Sequence, residues 1–336
     1  MKRVENKGGK NVTIRYGIVS AAQIVPRFVA GVKESQVGEV VAIAATDIER
    51  AQQLADELAI PNAYGSYQEL FADETVDVVY VATYNQGHYE AAKQALLAGK
   101  HVLVEKPFVL SWDEADELFA LAAEKQRFLM EAQKAIFLPV TKWVKEKVQS
   151  GVLGTLRYAK ATMAYPQTEH IKWFPSLAAG GGALRGSSSY PIHYLMHVLE
   201  QDIDEASGTA LMEPGHSDTQ CDVSVIFDQQ LQANLLITTH LNLPSELTLY
   251  GELGQLVIPN FWKAQQATLS TADQTETFEC AYASEFVFEI DHVNECLAQG
   301  LLESPVVTKE MTLQSVELAE QLYEQWTAGD HHASGH

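Results

Sequence analysis

One lysine of this chain stands where chemistry is expected. Lys106 comes just after the apolar run at 101–104 and just before Pro107. The run is predicted to be an interior strand of a parallel sheet, since both faces of such a strand are covered, and proline cannot continue it. Ligands of open α/β sheets bind at the carboxyl ends of the strands, so Lys106 could exchange a proton with a bound oxygen. A surface lysine that starts a loop fits the same spacing equally well.

Strand and helix patterns alternate along the first part of the chain. Continuous apolar runs indicate interior strands, and apolar residues that recur every three or four positions indicate amphipathic helices. Strands are predicted at 13–20, 40–45, 76–82, 101–104 and 128–130, and helices at 24–33, 49–58, 89–98 and 111–124. This alternation predicts an α/β domain, placed at 11–135, with a parallel sheet and helices on both faces.

Beyond about residue 140 the pattern changes. A helix ends at Gly151, and strand-like runs follow at 155–164, 221–227, 233–240, 246–250, 255–258 and 267–270. Few long helices separate these runs, so hairpins and an antiparallel sheet are predicted. Amphipathic helices at 284–299 and 312–326 complete a second, α+β domain at 136–328. The ends at 1–10 and 329–336 are predicted to be tails.

Composition and charge argue against several classes of protein. The formal charge, 23 − 44 = −21, disfavours nucleic acid as a partner, because it repels a polyanion. No apolar segment is long enough for a membrane span, and no signal peptide is evident, so a cytoplasmic protein without a membrane partner is expected. Three cysteines suit neither a disulfide framework nor a zinc site. His193 and His197 lack the Glu of H-E-x-x-H, so no metal is predicted.

The first strand-to-helix turn is the expected place for the phosphates of a dinucleotide. It lacks the G-x-G-x-x-G motif, since Ser20, Ala22 and Val25 occupy the three glycine positions. Small residues still allow a close approach of the backbone, and a serine adds a hydroxyl. The residues predicted to form this phosphate turn are Ser20, Ala21, Ala22, Gln23 and Ile24.

The end of the second strand bears on the choice of cofactor. An acid there binds the ribose hydroxyls of NAD, whereas a basic residue accommodates the 2′-phosphate of NADP. The strand runs into Thr46 and Asp47, and Arg50 follows one turn later. Asp47 comes late and could equally cap the next helix. Nothing obvious holds a 2′-phosphate, so the residues favour NAD slightly over NADP.

Five motifs follow one another along the chain. They are the turn at 17–24; Ala82-Thr83-Tyr84-Asn85-Gln86-Gly87-His88; Glu105-Lys106-Pro107; the glycine run 180–182 ahead of Tyr190 and His193; and Gly251-Glu252-Leu253-Gly254. Together they resemble the Gfo/Idh/MocA oxidoreductase family, with A-T-P-N-x-x-H similar to the second motif and E-K-P identical to the third. The likeness is strongest to the branch of dimeric dihydrodiol dehydrogenases and sugar dehydrogenases.

The resemblance implies a fold and an activity. The fold is an N-terminal Rossmann domain followed by a C-terminal α+β domain with a large, open, mostly antiparallel sheet. The implied activity is hydride transfer between NAD or NADP and a secondary alcohol or ketone of a sugar, polyol or dihydrodiol. Lys106 would lie close to the nicotinamide, and Tyr190 would be the acid/base tyrosine. The other residues implied to line the cofactor are Thr83, Asn85, His88 and Glu105.

The chain departs from the family pattern at several positions. Gly186 stands where the family often has an aspartate, which would assist acid/base chemistry on a polyol. The segment 131–137, Glu-Ala-Gln-Lys-Ala-Ile-Phe, lacks the Trp and Arg of the branch's E-x-x-W-T-R-F. Ala45 and Thr46 replace the Ser-Arg that is common in NADP-using members.

Lys106 and Tyr190 are predicted to share the proton transfer. Oxidation of an alcohol needs a base whose pKa lies near neutrality. A neighbouring cation lowers the pKa of both a lysine and a tyrosine, so the pair could form a relay. His193 is the competing candidate and could line the substrate pocket. Trp173 and Phe174 could form a wall for the substrate or belong to the core.

Other functions and the assembly state also follow from these features. A non-catalytic, cofactor-sensing regulator is favoured by Gly186 and opposed by the retention of Lys106 and Tyr190. An NAD-dependent glycosidase is a further alternative, because some family members cleave glycosides through transient oxidation. A homodimer or larger homo-oligomer is predicted through the outer face of the second sheet, because the strand at 233–238 carries many apolar residues.

Overall fold

The first sheet of the computed structural model, which describes residues 13–328, is parallel and six-stranded. Its strands are β1 (Ile14–Val19), β2 (Gly38–Ala44), β3 (Asn62–Tyr64), β4 (Val78–Val81), β5 (His101–Val104) and β6 (Leu129–Glu131). The helices between them are α1 (Val25–Glu34), α2 (Ile48–Leu58), α3 (Tyr67–Ala72), α4 (Gly87–Leu97) and α5 (Trp112–Lys125). The strand order is β3-β2-β1-β4-β5-β6. The chain adds strands on one side of β1 as far as β3 and then continues on the other side from β4, which confirms the predicted Rossmann-type α/β fold.

Local chemistry explains where these helices begin. Asp47 accepts hydrogen bonds from the amides of Glu49 and Arg50 and so caps α2. Ser66 and Glu69 form a complete capping box at α3. Such caps satisfy amides that have no partner inside the helix. The caps fix the helix starts and leave the strand ends at the carboxyl edge of the sheet open to a ligand.

The second sheet has eight strands in the order β14-β13-β12-β11-β7-β10-β9-β8. Its strands are β7 (Leu156–Ala164), β8 (Ile203–Met212), β9 (Asp218–Phe227), β10 (Leu231–Thr238), β11 (Glu246–Gly251), β12 (Gly254–Pro259), β13 (Gln266–Thr271) and β14 (Thr275–Glu279). Neighbouring strands are antiparallel except β7 and β10, which are parallel. The prediction of a large, mostly antiparallel sheet is confirmed.

Five helices accompany this sheet. They are α6 (Pro139–Gln149), α7 (Ala183–Ser187), α8 (Ser189–Leu199), α9 (Val287–Ala298) and α10 (Lys309–Thr327). The last two make polar contacts with elements of the first domain: Tyr16 Oη donates to Asn294 of α9 at 2.7 Å, and Lys309 of α10 pairs with Asp116 of α5 at 2.7 Å. The last helices therefore bind the two sheets together, while the boundary at 135/136 stays a prediction.

Several elements carry no clear pattern in the sequence, and they are β3, α3, α8, β8 and β14. Helix α8 is buried on nearly every side, so it lacks the polar stripe that reveals an amphipathic helix. The tails predicted at 1–10 and 329–336 lie outside the described residues.

Most of the apolar residues of β10 do not lie on the outer face of the second sheet, so the reason given above for assembly through that face is wrong. Ala233, Leu235 and Ile237 of β10 are all buried and point toward the helices, because side chains alternate between the faces of a strand. Leu236 is the apolar residue of 233–238 that points to the outer face, where it is partly buried. The apolar content of this strand therefore reflects the core of the protein rather than a subunit interface.

Candidate active site

Lys106 lies at the carboxyl edge of the first sheet, directly beyond β5. Its Nζ donates to the carbonyl oxygen of Gly186 at 2.9 Å and lies 5.3 Å from the centroid of the Tyr190 ring. The sequence places these residues far apart, and the fold brings them together where the two sheets' layers meet. An ammonium and a phenol therefore share one end of the parallel sheet, where ligands of this fold class bind.

The backbone around Lys106 is held from two sides. Glu105 accepts from the Tyr80 hydroxyl at 2.5 Å and from the Lys106 amide at 3.1 Å. The buried His88 ring lies with Nδ1 2.8 Å from the carbonyl oxygen of Pro107 and Nε2 3.1 Å from that of Thr83. Burial lowers the pKa of His88, which favours the neutral ring. These contacts hold the backbone of the turn that carries Lys106.

The side chain of Asn85 forms a contact between the first domain and the glycine run of the second. Its Nδ2 donates to the carbonyl oxygen of Gly180 at 2.7 Å, and the side chain is buried. The amide of Gln86 donates to Ala179 at 3.2 Å, so the glycine run lies against the end of β4. Thr83 is partly exposed at the same edge. The structure thus leaves Thr83 the more accessible of the two for a ligand.

The turn at Ser20 has a backbone suited to phosphates. Ser20 adopts a φ of 114°, a region that normally favours glycine, and its amide donates to Ala44 at 2.9 Å. Ala21 and Ala22 are partly exposed, and Ile24, the N-cap residue of α1, provides no side-chain cap. A helix N-terminus that lacks a cap, behind a turn of small residues, can accept a pyrophosphate. The residues present therefore fit a dinucleotide.

The end of β2 leads to a cation rather than to a free acid. Asp47 caps α2 through its carboxylate, while Thr46 is exposed. The exposed Arg50 reaches back to the phosphate turn, with Nη2 3.3 Å from the carbonyl oxygen of Ala21. Sequence spacing did not reveal this contact, which removes much of the reason to favour NAD.

Tyr190, at the start of α8, lies close to two lysines. Lys134 follows the end of β6, and its Nζ donates to the Tyr190 hydroxyl at 2.5 Å. The same Nζ lies 4.6 Å from the centroid of the Tyr190 ring. Burial raises the pKa of the Tyr190 phenol, and the charge of Lys106 opposes this effect. A positive charge beside the phenol favours the phenolate and therefore opposes the rise in the pKa of Tyr190 that burial causes.

His193 faces a different neighbour. Its ring is fully buried, its Nε2 lies 3.5 Å from Glu131 Oε2, and neither ring nitrogen has a hydrogen-bond partner among residues 13–328. Burial lowers the pKa of His193 to about 3 and raises that of Glu131 to about 8, so both groups are held neutral at neutral pH. The structure pairs His193 with Glu131 and records no contact between His193 and Lys106.

The glycine run 180–182 allows a close approach of segments that side chains would block. A Cβ at Gly181 would lie 1.9 Å from the carbonyl oxygen of Phe174. A Cβ at Gly182, whose φ is 113°, would lie 2.2 Å from both Asp218 Oδ1 and the Tyr323 hydroxyl. Asp218 in turn accepts from the Leu184 amide at 3.0 Å. The run therefore sets the start of the segment that carries Gly186 and Tyr190.

Gly186, where the family often has an aspartate, faces the hydroxyl of Tyr165. A Cβ at this position would lie 2.9 Å from the Tyr165 oxygen and 3.9 Å from the Phe174 ring. Tyr165 Oη donates to the carbonyl oxygen of Ala183 at 3.1 Å. A phenol thus fills the space into which an aspartate side chain would extend. Trp173 is partly exposed beside this wall.

Sequence reasoning missed three residues of this region: Lys134, Glu289 and Tyr165. Lys134 follows the carboxyl end of β6, so the rule that singled out Lys106 applies to it as well. Glu289 and Tyr165 carry no such signal, because α9 and the end of β7 reach the site only through the packing of distant segments. No group of three or more metal-binding side chains occurs among residues 13–328, and no helix in this range could cross a membrane.

Comparison with known proteins supplies the family. The family described as "Oxidoreductase family, NAD-binding Rossmann fold" matches residues 14–133, and the GFO/IDH/MocA C-terminal domain matches residues 141–257. Trans-1,2-dihydrobenzene-1,2-diol dehydrogenase of Mus musculus is 31% identical over 306 residues, which cover 88% of this chain and 92% of the relative.

Solved structures agree with this. KijD10, a 3-ketoreductase from Actinomadura kijaniata in complex with NADP and TDP-benzene, has a TM-score of 0.83 at 25% identity, covering 93% of this chain and 97% of that one. Aldose-aldose oxidoreductase from Caulobacter crescentus, complexed with glycerol, shares the fold with a TM-score of 0.83 at 20% identity, covering 94% of this chain and 98% of that one. The chain belongs to the Gfo/Idh/MocA family and is an NAD(P)-dependent oxidoreductase that acts on CH–OH groups.

Proposed function

We propose that this enzyme transfers a hydride between NAD(P) and a secondary alcohol or ketone of a sugar, polyol or dihydrodiol, with Lys106 and Tyr190 as the proton-transfer groups. The observation that carries the proposal is the meeting of Lys106 and Tyr190 at the carboxyl edge of the parallel sheet. The dehydrogenase relative and the 3-ketoreductase support the two directions of this chemistry.

The protein's contribution is to bind, orient and move a proton. The bound nicotinamide supplies the hydride acceptor or donor. Lys106, fixed by its bond to Gly186, donates a hydrogen bond to the reacting oxygen of the substrate. Tyr190 accepts the hydroxyl proton during oxidation and returns it during reduction. His193, held against Glu131, keeps the interior of α8 in place and is not assigned a proton-transfer role.

The dinucleotide is proposed to lie over the turn at 20–24, with Thr83 and Lys106 toward its nicotinamide end. Arg50 supports the acceptance of NADP as well as NAD, because its guanidinium lies beside the turn and can pair with a 2′-phosphate. We therefore propose that the enzyme accepts both cofactors, without the slight preference for NAD that the sequence predicted.

Arg50→Ala is expected to weaken NADP by about tenfold or more, since a hydrogen bond to a charged group contributes about 1.5–3 kcal/mol. Affinity for NAD should change little, because NAD has no 2′-phosphate, and NAD thereby serves as the internal control. Titration of both cofactors by fluorescence quenching measures the two dissociation constants. An equal loss for NAD and NADP would show that Arg50 supports the turn and does not read the phosphate.

The function itself is tested by a substrate panel. Sugars, polyols and dihydrodiols are offered with NAD and with NADP, and ketones with the reduced cofactors, while the nicotinamide absorbance is followed. Turnover with a change in absorbance supports the proposal. Cleavage of a glycoside without net change in absorbance would instead identify an NAD-dependent glycosidase.

A homodimer remains a proposal, now supported by other residues than those of β10. Leu211 is 56% exposed, and Leu241 and Leu243, which follow β10 at the same end of the sheet, are 47% and 36% exposed. Exposed leucines that gather at one end of a sheet favour burial against a second copy. Light scattering at micromolar concentration is expected to give at least twice the mass of the 37.1 kDa chain, and a monomeric mass would contradict the proposal.

A further inference from the structure

Lys134 is a buried lysine whose hydrogen bonding is directed at Tyr190. It opens a short 3₁₀ turn, Lys134–Phe137, directly after β6, and its side chain is only 4% exposed. Its Nζ donates to the Tyr190 hydroxyl at 2.5 Å and lies 4.6 Å and 4.8 Å from the ring centroids of Tyr190 and Phe286. Tyr190 is its one hydrogen-bond partner among residues 13–328.

A buried ammonium needs compensation, because desolvation disfavours its charge. Charged groups face it from the elements packed around it, and they are Glu105 after β5, Glu289 of α9, Glu285 just before α9, and Arg27 of α1. Burial lowers the pKa of Lys134, whereas the three acids oppose this effect. Burial raises the pKa of Glu289 to about 8 and the charge of Glu105 adds to this, while the charge of Lys134 opposes it, so Lys134 and Glu289 influence each other's ionisation.

Lys100 shows what a structural buried lysine looks like in this protein. It is 8% exposed, and its Nζ donates to the carbonyl oxygens of Asp73 and Val76 at 2.6 Å and 2.9 Å. These contacts join loops of the first sheet's layer and are distant in the fold from Tyr190. Lys134 makes no such backbone contacts within the described range, and its ammonium is directed at a reactive hydroxyl instead.

We propose that Lys134 is a positioning residue of the active site, whose ammonium holds the Tyr190 oxygen and favours its phenolate form. The proposal rests on the proposed function, because it assigns the proton-accepting form of Tyr190. During oxidation the phenolate oxygen accepts the proton of the substrate hydroxyl and becomes the phenol, and during reduction it gives this proton back. Lys106, whose Nζ lies 5.3 Å from the centroid of the same ring, binds the substrate oxygen in this scheme.

The test replaces the charge and follows the ionisation of Tyr190. Lys134→Met keeps the length and apolar stem of the side chain, and Lys134→Gln keeps an N–H donor without the charge. In each background the absorbance of phenolate is titrated against pH, and the signal of Tyr190 is isolated by subtracting the matching Tyr190→Phe protein. Removal of a cation in contact with the phenol is expected to raise the pKa of Tyr190 by about 1–3 units.

Kinetics provide the second readout. The acidic limb of the kcat profile for oxidation should move to higher pH by the same amount, while KM for the substrate changes little. The control is Lys100→Met, which also removes a buried ammonium and should lower thermal stability without moving the profile. Lys134→Arg, which restores the charge, should move the limb back toward that of the unaltered enzyme.

The outcomes separate this proposal from the proposed function. A Tyr190 phenol that titrates at the same pH in the unaltered protein and in either Lys134 variant overturns the role of Lys134, whatever the enzyme's substrate. A shifted phenol titration supports it even when no member of the substrate panel is turned over, because the titration needs neither substrate nor cofactor. Should the methionine variant fail to fold, the glutamine variant decides.

Discussion

Lys106→Met should lose about 10²-fold or more in kcat while the protein stays folded. The aliphatic stem is retained, and the loss is confined to the ammonium that donates to Gly186 and lies beside the Tyr190 ring. Loss of a group that binds the reacting oxygen and takes part in proton transfer costs about 10²–10⁴ in rate. Steady-state kinetics with the best substrate of the panel measure the loss, and cofactor titration shows whether the nucleotide still binds.

Lys100→Met is again the matched control, since it removes a buried ammonium from the same layer but far from the site. It should keep kcat within a few-fold of the unaltered enzyme and lower stability more than Lys106→Met does. Near-normal turnover by a well-folded Lys106→Met enzyme would remove Lys106 from the proton-transfer pair.

The sequence predicted Lys106 because the relevant rule is local. An apolar run that ends in Glu105-Lys106-Pro107 fixes a strand end, and β5 spans His101–Val104 as expected. The same rule applies less directly to Lys134, because it lies three residues beyond the end of β6, at the start of a 3₁₀ turn. Its contact with Tyr190 depends on the fold and not on the strand end alone.

Other parts of the site could not be predicted from local patterns. The meeting of Lys106 with Gly186 and Tyr190 depends on how α8 packs against α6, α10 and the 3₁₀ turn after β6, and that helix is buried on nearly every side. The use of Asn85 on Gly180 and of Tyr165 beside Gly186 depends on contacts between segments far apart in the chain. Sequence periodicity describes which face of an element is buried, but it does not describe what that face meets.

The replacement of the family's aspartate by Gly186 becomes understandable in this setting. The Tyr165 hydroxyl lies where an aspartate would begin, so the pocket keeps a polar group there but loses an acid. In the proposed function the acid/base work then falls on the phenol of Tyr190, which lies close to the ammonium groups of Lys106 and Lys134. On that proposal the absence of the aspartate leaves a means of proton transfer and raises the importance of Tyr190.

Tyr190→Phe is expected to lower kcat by about 10²-fold or more, because it deletes the oxygen that Lys134 contacts and that accepts the substrate's proton in the proposed function. The ring remains, so packing changes little and cofactor affinity should be kept. Lys134 loses its hydrogen-bond acceptor, which should reduce the free energy of unfolding by about 1–3 kcal/mol. Kinetics, cofactor titration and denaturant unfolding measure these three effects separately.

Tyr194→Phe is the matched control for this substitution. Tyr194 lies one turn further along α8, is fully buried, and its hydroxyl faces Thr141 and not a lysine. Its loss should leave kcat and stability nearly unchanged. His193→Gln tests the competing assignment, and we expect it to retain turnover because His193 faces Glu131. An active Tyr190→Phe enzyme beside an inactive but folded His193→Gln enzyme would transfer the proton-transfer role to the histidine.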